Sequence, residues 1–129
     1  MLAPKITPWL AVRGSREAVA FYQTAFSATE VYRLDGGDKG IVARLSVGGA
    51  EFWVSDESPE QGNSGPETLG GCSVRLIFTV ADPDAAFAQA VAAGAKVVWP
   101  VSEGHGWRVG RVVDPYGHHW EIGRELEAE

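Results

Sequence analysis

Apolar residues along this chain switch between a two-residue and a roughly 3.6-residue period, and the switches come in the same order twice. Residues 6–12 read as a first strand, with Pro8 marking an edge or strand start. Gly14 and Ser15 break it, and Ser15 is the expected N-cap of a helix over 16–26. There Val19, Tyr22 and Phe26 recur at helical spacing, widened by Ala18, Phe21 and Ala25. Alternating strands are predicted over 29–34, 41–47 and 50–55, joined by Asp35-Gly36-Gly37-Asp38 and Gly48-Gly49 turns. Residues 56–71 are rich in Gly, Pro, Ser and Glu without periodicity and read as a long surface connection. The pattern then restarts with a strand over 73–80. Asp82 and Pro83 open a helix to about Ala93, closed by Gly94. A strand over 96–99 is expected to end at Pro100, with a loop over 101–106. Strands over 107–113 and 118–123 follow, then a short frayed tail over 124–129.

Two halves with one order of elements make an internal repeat. Val12 and Val80 end the two opening strands 68 residues apart, and the same offset carries Ala18 to Ala86 and Val19 to Phe87. Module one spans about 5–56, the linker about 57–72 and module two about 73–124, within one domain of 129 residues. The predicted class is α+β. Two βαβββ modules pair into one curved eight-stranded mixed sheet, with the helices on its convex side and a concave inner face.

A net charge of −6 and scattered Lys and Arg give no basic stripe, so nucleic acid is excluded as a partner. No apolar run approaches the ~18 residues of a membrane span. The N-terminus lacks the pattern of a signal peptide, and the single cysteine, Cys72, precludes an internal disulfide; both fit a reducing cytoplasm. Cys72 reads as a small buried or loop residue. Five tryptophans, at positions 9, 53, 99, 107 and 120, could wall a ligand pocket or serve the core.

Candidate chemistry concentrates in residues 111–123. Asp114-Pro115-Tyr116-Gly117 has turn chemistry, and an extended segment follows. Alternation puts His119 and Glu121 on one face, and His118, Trp120 and Ile122 on the other. An imidazole and a carboxylate so placed suit half of a metal site, and equally a solvated or hydrogen-bonding strand end. His105, between Gly104 and Gly106, fits a lid over a cavity or an exposed loop. Residues 36–40 lack the Gly-Lys-Ser/Thr ending of a phosphate loop.

The opening strand with Ser15-Arg-Glu-Ala-Val-Ala-Phe-Tyr-Gln-Thr-Ala-Phe, the segment from Val80-Ala-Asp-Pro to Ala-Ala-Gly-Ala, and Asp114-Pro-Tyr-Gly-His-His-Trp-Glu-Ile together resemble the vicinal oxygen chelate superfamily. That superfamily holds glyoxalase I, bleomycin-resistance proteins and extradiol dioxygenases; the PhnB-like or glyoxalase-like group is the nearest resemblance. The resemblance implies paired βαβββ modules, a homodimer and, in the metalloenzymes, four metal ligands on the concave sheet. Carried onto this chain, the four positions are Thr7, Trp53, Arg75 and Glu121, of which Glu121 alone suits a metal. The leading expectation is therefore a cytoplasmic, metal-independent protein that sequesters a small molecule. Arg75 and Glu121 would pair or recognise the ligand, Trp9, Trp53 and Trp107 would stack on it, and His119 would be a further ligand-binding residue. Two alternatives stay open. One is a metal-dependent lyase, isomerase or dioxygenase with a divalent cation on Glu121 and His119. The other is a metal-free enzyme with Glu121 as general base.

Overall fold

The computed structural model describes residues 2–127. Eight strands and three helices follow one another as β1 (Trp9–Val12), α1 (Ser15–Phe26), β2 (Thr29–Asp35), β3 (Ile41–Val47), β4 (Ala50–Asp56), α2 (Pro66–Leu69), β5 (Arg75–Thr79), α3 (Pro83–Ala93), β6 (Lys96–Gly104), β7 (Trp107–Val113) and β8 (His119–Glu125). This is the expected α+β arrangement of two βαβββ modules. Hydrogen bonding divides the eight strands four and four, in the orders β1-β4-β3-β2 and β5-β8-β7-β6. The repeat is visible in the register. In module one β1 runs parallel to β4 with Trp9 opposite Trp53; in module two β5 runs parallel to β8 with Ile77 opposite Glu121. Both pairs join residues 44 apart in sequence, and the two pairs are themselves 68 apart.

α1 forms where its apolar face was read, with Val19, Tyr22 and Phe26 buried. Its start differs from expectation. Gly14, in the left-handed region at φ 86°, takes the cap position, and Ser15 is the first helical residue. Capping comes instead from Asp56 at the end of β4, whose Oδ1 accepts from Gly14 N at 3.1 Å and Ser15 N at 2.7 Å. A carboxylate suits the positive end of a helix. The Ser15 hydroxyl is turned inward to accept from Ile41 N at 2.9 Å. α3 begins as read: Asp82 accepts from Ala85 N at 3.1 Å, and Pro83 occupies the first turn.

Pro100 does not end its strand. β6 is an edge strand, so the missing N–H can face solvent, and the pairing with β7 shifts between Trp99 and Ser102 to absorb it. The region read as a loop over 101–106 is therefore mostly strand, closed by His105 (φ 53°) and Gly106 (φ 83°). The connection between modules is also more ordered than its composition suggests. It contains α2, and Glu57 ties it down by accepting from Gly65 N (2.9 Å), Thr68 Oγ1 (2.8 Å) and Arg13 Nε (3.2 Å). Those donors hold the Glu57 carboxyl below its ordinary range, the Gly65 amide contributing most. Cys72 lies exposed on this connection. β8 takes up residues 124 and 125 of the expected tail, and 128–129 lie outside the described residues.

The modules meet through their helix-bearing sides. Phe26 of α1 packs on Trp120 of β8, centroids 4.5 Å apart, and on Phe78 of β5 at 5.3 Å. At the centre Asp114, 3% exposed, accepts four hydrogen bonds. Its Oδ1 takes the Tyr116 and His118 amides at 2.9 and 3.0 Å, which shapes the turn. Its Oδ2 takes the Trp120 indole at 2.9 Å and the Tyr22 hydroxyl at 2.5 Å. The turn of module two is thereby bonded to the helix of module one. Burial, reinforced by Asp114, pushes the Tyr22 phenol well above its ordinary 10.0. His118 adds a second link, its Nε2 lying 2.9 Å from the Ala11 carbonyl of β1.

Candidate functional site

Strand alternation gives each sheet an inner face packed on the core and an outer face turned from it. In module one the inner row includes Leu10, Val12, Ala43, Leu45, Phe52 and Val54, all buried. The outer face carries a rung of four residues in register, Trp9, Trp53, Arg44 and Tyr32. Trp9 and Trp53 stack with centroids 5.1 Å apart and planes 14° from parallel. The Trp9 indole is anchored on Ser55 Oγ at 2.8 Å. The Arg44 guanidinium lies 5.2 Å from the Trp53 ring centre, and Tyr32 meets Trp53 edge-on at 5.7 Å. This is a flat aromatic surface flanked by a cation.

The matching rung of module two is Ile77, Glu121, Arg111 and Trp99. Here the position of Trp53 is taken by a carboxylate. Arg111 Nη2 donates to Glu121 Oε2 at 2.6 Å, and Arg75 Nε approaches the same oxygen from β5. Arg111 also lies over Trp99, 5.5 Å from its ring centre. The Glu121 side chain is 13% exposed and that of Arg75 54%. His119 sits opposite Arg75 on the neighbouring strand, and its Nδ1 is buried without a partner. Arg75, Arg111 and His119 border a recess of about 100 Å³ together with Cys72, Ser73 and Val74.

The expected pairing of Arg75 with Glu121 is thus present, with His119 adjacent. Trp9 and Trp53 are brought together, but on the other sheet. Phe52 and Trp120, the inner-face neighbours of Trp53 and Glu121, meet at 5.5 Å. Their strand neighbours therefore point away from each other, and the aromatic rung and the charged rung lie on opposite outer faces of one chain. Trp107 shares the outer face of β7 with Arg111 but stands four residues along, about 13 Å away at strand rise. Thr7 precedes β1 and lines a separate cavity of about 550 Å³ between the modules, with Phe26, Phe52, Phe78 and Trp120. His105 lies exposed at the tip of the β6–β7 hairpin.

Sequence reasoning missed Arg44, Tyr32 and Arg111 as site residues, and named Trp99 only as one of five tryptophans. The 68-residue offset does not find them, because Arg44 and Arg111, like Tyr32 and Trp99, stand 67 apart. The slip arises in the hairpins: β3 and β4 close on Val47 opposite Ala50, whereas β7 and β8 close on Val113 opposite His119 around a longer turn.

The donor set does not fit a divalent cation. Of the four positions carried over, Thr7 lies apart from the rungs, Trp53 offers no ligand atom and Arg75 is a cation. Glu121, the remaining one, already faces two guanidiniums that would repel a metal. Among the described residues no three His, Cys, Asp or Glu side chains converge as metal ligands.

Residues 9–123 match the glyoxalase-like domain family. An uncharacterized protein of Mycobacterium bovis is 40% identical over 128 residues, covering 95% of this chain and 84% of that one. A gene product of Arabidopsis thaliana of known crystal structure is 32% identical, with a TM-score of 0.70 over 94% of this chain and 97% of that one. The fold is also shared with a fosfomycin resistance protein of Listeria monocytogenes, solved with Mn(II) and 1S,2S-dihydroxypropylphosphonic acid. That protein is 17% identical, with a TM-score of 0.68 over 94% of this chain and 89% of that one.

Proposed function

We propose that this chain, which belongs to the glyoxalase-like domain family of the vicinal oxygen chelate superfamily, is a metal-independent small-molecule-binding protein of the sequestration type. The observation that supports this most is Glu121 clamped between Arg75 and Arg111 at the position where a metal ligand would stand. The clamp replaces a Lewis acid with two fixed cations. In this proposal Glu121 serves as the charge partner of Arg75 and Arg111, both on its Oε2, rather than as a general base.

The working form in this proposal is a homodimer in the cytoplasm. Each outer face exposes apolar side chains around its rung: Trp9, Tyr32 and Leu34 on one, Ile77 on the other. An aromatic rung on one protomer laid over the charged rung of its partner would cover both and enclose a ligand site. Trp9 and Trp53 would then stack on a ligand held by Arg75 and Arg111 of the other chain. The exposed free thiol of Cys72 fits a reducing compartment.

Metal analysis of the purified protein tests the first claim; stoichiometric Ni, Zn, Mn or Fe lost on Glu121→Gln would refute it. Tryptophan quenching across a panel of metabolites and antibiotics tests the second. The expected result is saturable quenching by aromatic compounds, weakened in Trp53→Ala, and no response to any compound would refute binding. Sedimentation equilibrium tests the dimer, and a monomer at micromolar concentration would refute it.

A further inference from the structure

Two guanidiniums share one carboxylate oxygen on the second sheet, so the cluster carries one positive charge in excess. Arg111 Nε and His119 Nδ1 are both buried and without a hydrogen-bond partner. Such atoms are costly to leave unmade and are rare in native proteins. Arg44, the equivalent of Arg111 in module one, also has an unbonded Nε, but Glu51 lies 3.4 Å from it. The residues that carry the unmatched atoms of module two, Arg111 and His119, line the recess of about 100 Å³, a size that suits a small head group.

We infer that this recess is an oxyanion site, taking the carboxylate or phosphate head of a small molecule between Arg75, Arg111 and His119. The inference rests on the binding function proposed above and names its ligand class. Planar guanidiniums present paired donors to such groups, and stacking on Trp99 fixes the Arg111 plane. Glu121 is here a built-in competitor. Its carboxylate occupies the donors until a ligand head replaces it, and it keeps the two like charges together when the site is empty. The remainder of the ligand leaves over the exposed Ile77 side chain, where an apolar or aromatic body gains contact.

The competitor role gives the test its sign. Binding of benzoate and of inorganic phosphate is measured by calorimetry at fixed ionic strength on the full chain, with folding of each variant checked by circular dichroism. Wild type is expected to bind each at one site, with mutual competition. Arg75→Gln, at an exposed side chain, and Arg111→Gln should each weaken binding about tenfold or more. Arg33→Gln, on the far sheet, should not. Glu121→Gln should strengthen binding about tenfold, because the isosteric amide no longer competes as an anion. Weaker binding in Glu121→Gln would overturn the inference, as would equal losses in the Arg33 and Arg75 variants, which would mark general screening. If neither anion binds while neutral aromatic compounds still quench tryptophan, the oxyanion site fails and the broader binding function stands. If those compounds fail as well, both fall.

Discussion

Removing the Asp114 carboxylate should cost more than any other single polar truncation in this chain. Asp114→Ala strips the acceptor from four donors at once. Two of them, the Tyr22 hydroxyl and the Trp120 indole, lie in the dry junction between modules, where Tyr22 is 0% exposed. A buried donor left unpaired costs about 1–3 kcal/mol. The two amides of the turn are partly exposed, so water can replace much of their loss. Against this, the alanine chain no longer has to desolvate a carboxylate, which returns part of the cost. The balance is about 4 kcal/mol, a large fraction of the ~5–15 kcal/mol that holds a typical domain together. At this chain length that corresponds to a fall of roughly 15 °C in Tm. Asp114→Asn keeps an acceptor for the turn amides but turns an NH2 group toward the Trp120 donor, and should lose about half as much. Urea unfolding followed by far-ultraviolet circular dichroism, with near-ultraviolet signals for the junction, measures both. A loss below about 1 kcal/mol in Asp114→Ala, or equal losses in the two variants, would refute the reasoning, because unpaired donors would then not be the cause.

Tyr22→Phe should cost about 1–2 kcal/mol at neutral pH by removing one bond to Asp114. It should also flatten the alkaline limb of stability. Above pH about 10 the unfolded chain releases the phenol proton while the folded chain retains it, so wild type loses stability as pH rises toward the folded value. Tyr116, raised more modestly by burial, leaves a smaller slope in the variant. Glu57 acts at the opposite end. Its lowered carboxyl contributes stability above its ordinary 4.5 that is lost as pH falls through the folded value, so acid titration of Glu57→Gln should show a shallower loss. Gly110→Ala should destabilise by about 1–3 kcal/mol in thermal melts, since its Cβ would stand 2.7 Å from Phe87 Cε2 and 2.8 Å from Val101 N; Phe87→Leu should restore part of it.

What could be read from the chain depended on whether the signal was local. Val19, Tyr22 and Phe26 announce α1, and Asp82-Pro83 announces α3, because spacing and capping are written within one turn of helix. The 68-residue offset placed Glu121 beside Arg75 because both belong to the parallel strand pair whose register the repeat preserves. Arg111 and Arg44 were hidden by a hairpin turn that is longer in one module than in the other. Ser15 was misassigned because its competitor for the helix start, Asp56, arrives from a strand 41 residues away. That Trp53 and Glu121 face opposite ways depends on Phe52 meeting Trp120 across the junction, a contact no local pattern records.

The bond between Tyr22 and Asp114 spans 92 residues, and it closes a chain whose sheets otherwise pair within their own modules. Each module can therefore gather its own hairpins early, while the junction waits on the larger loop-closure entropy. Docking is then the late step of refolding. The two steps carry separate optical signals: the Trp9–Trp53 stack reports module one assembling, and Trp120, packed on Phe26 and Phe52, reports the two halves locking together.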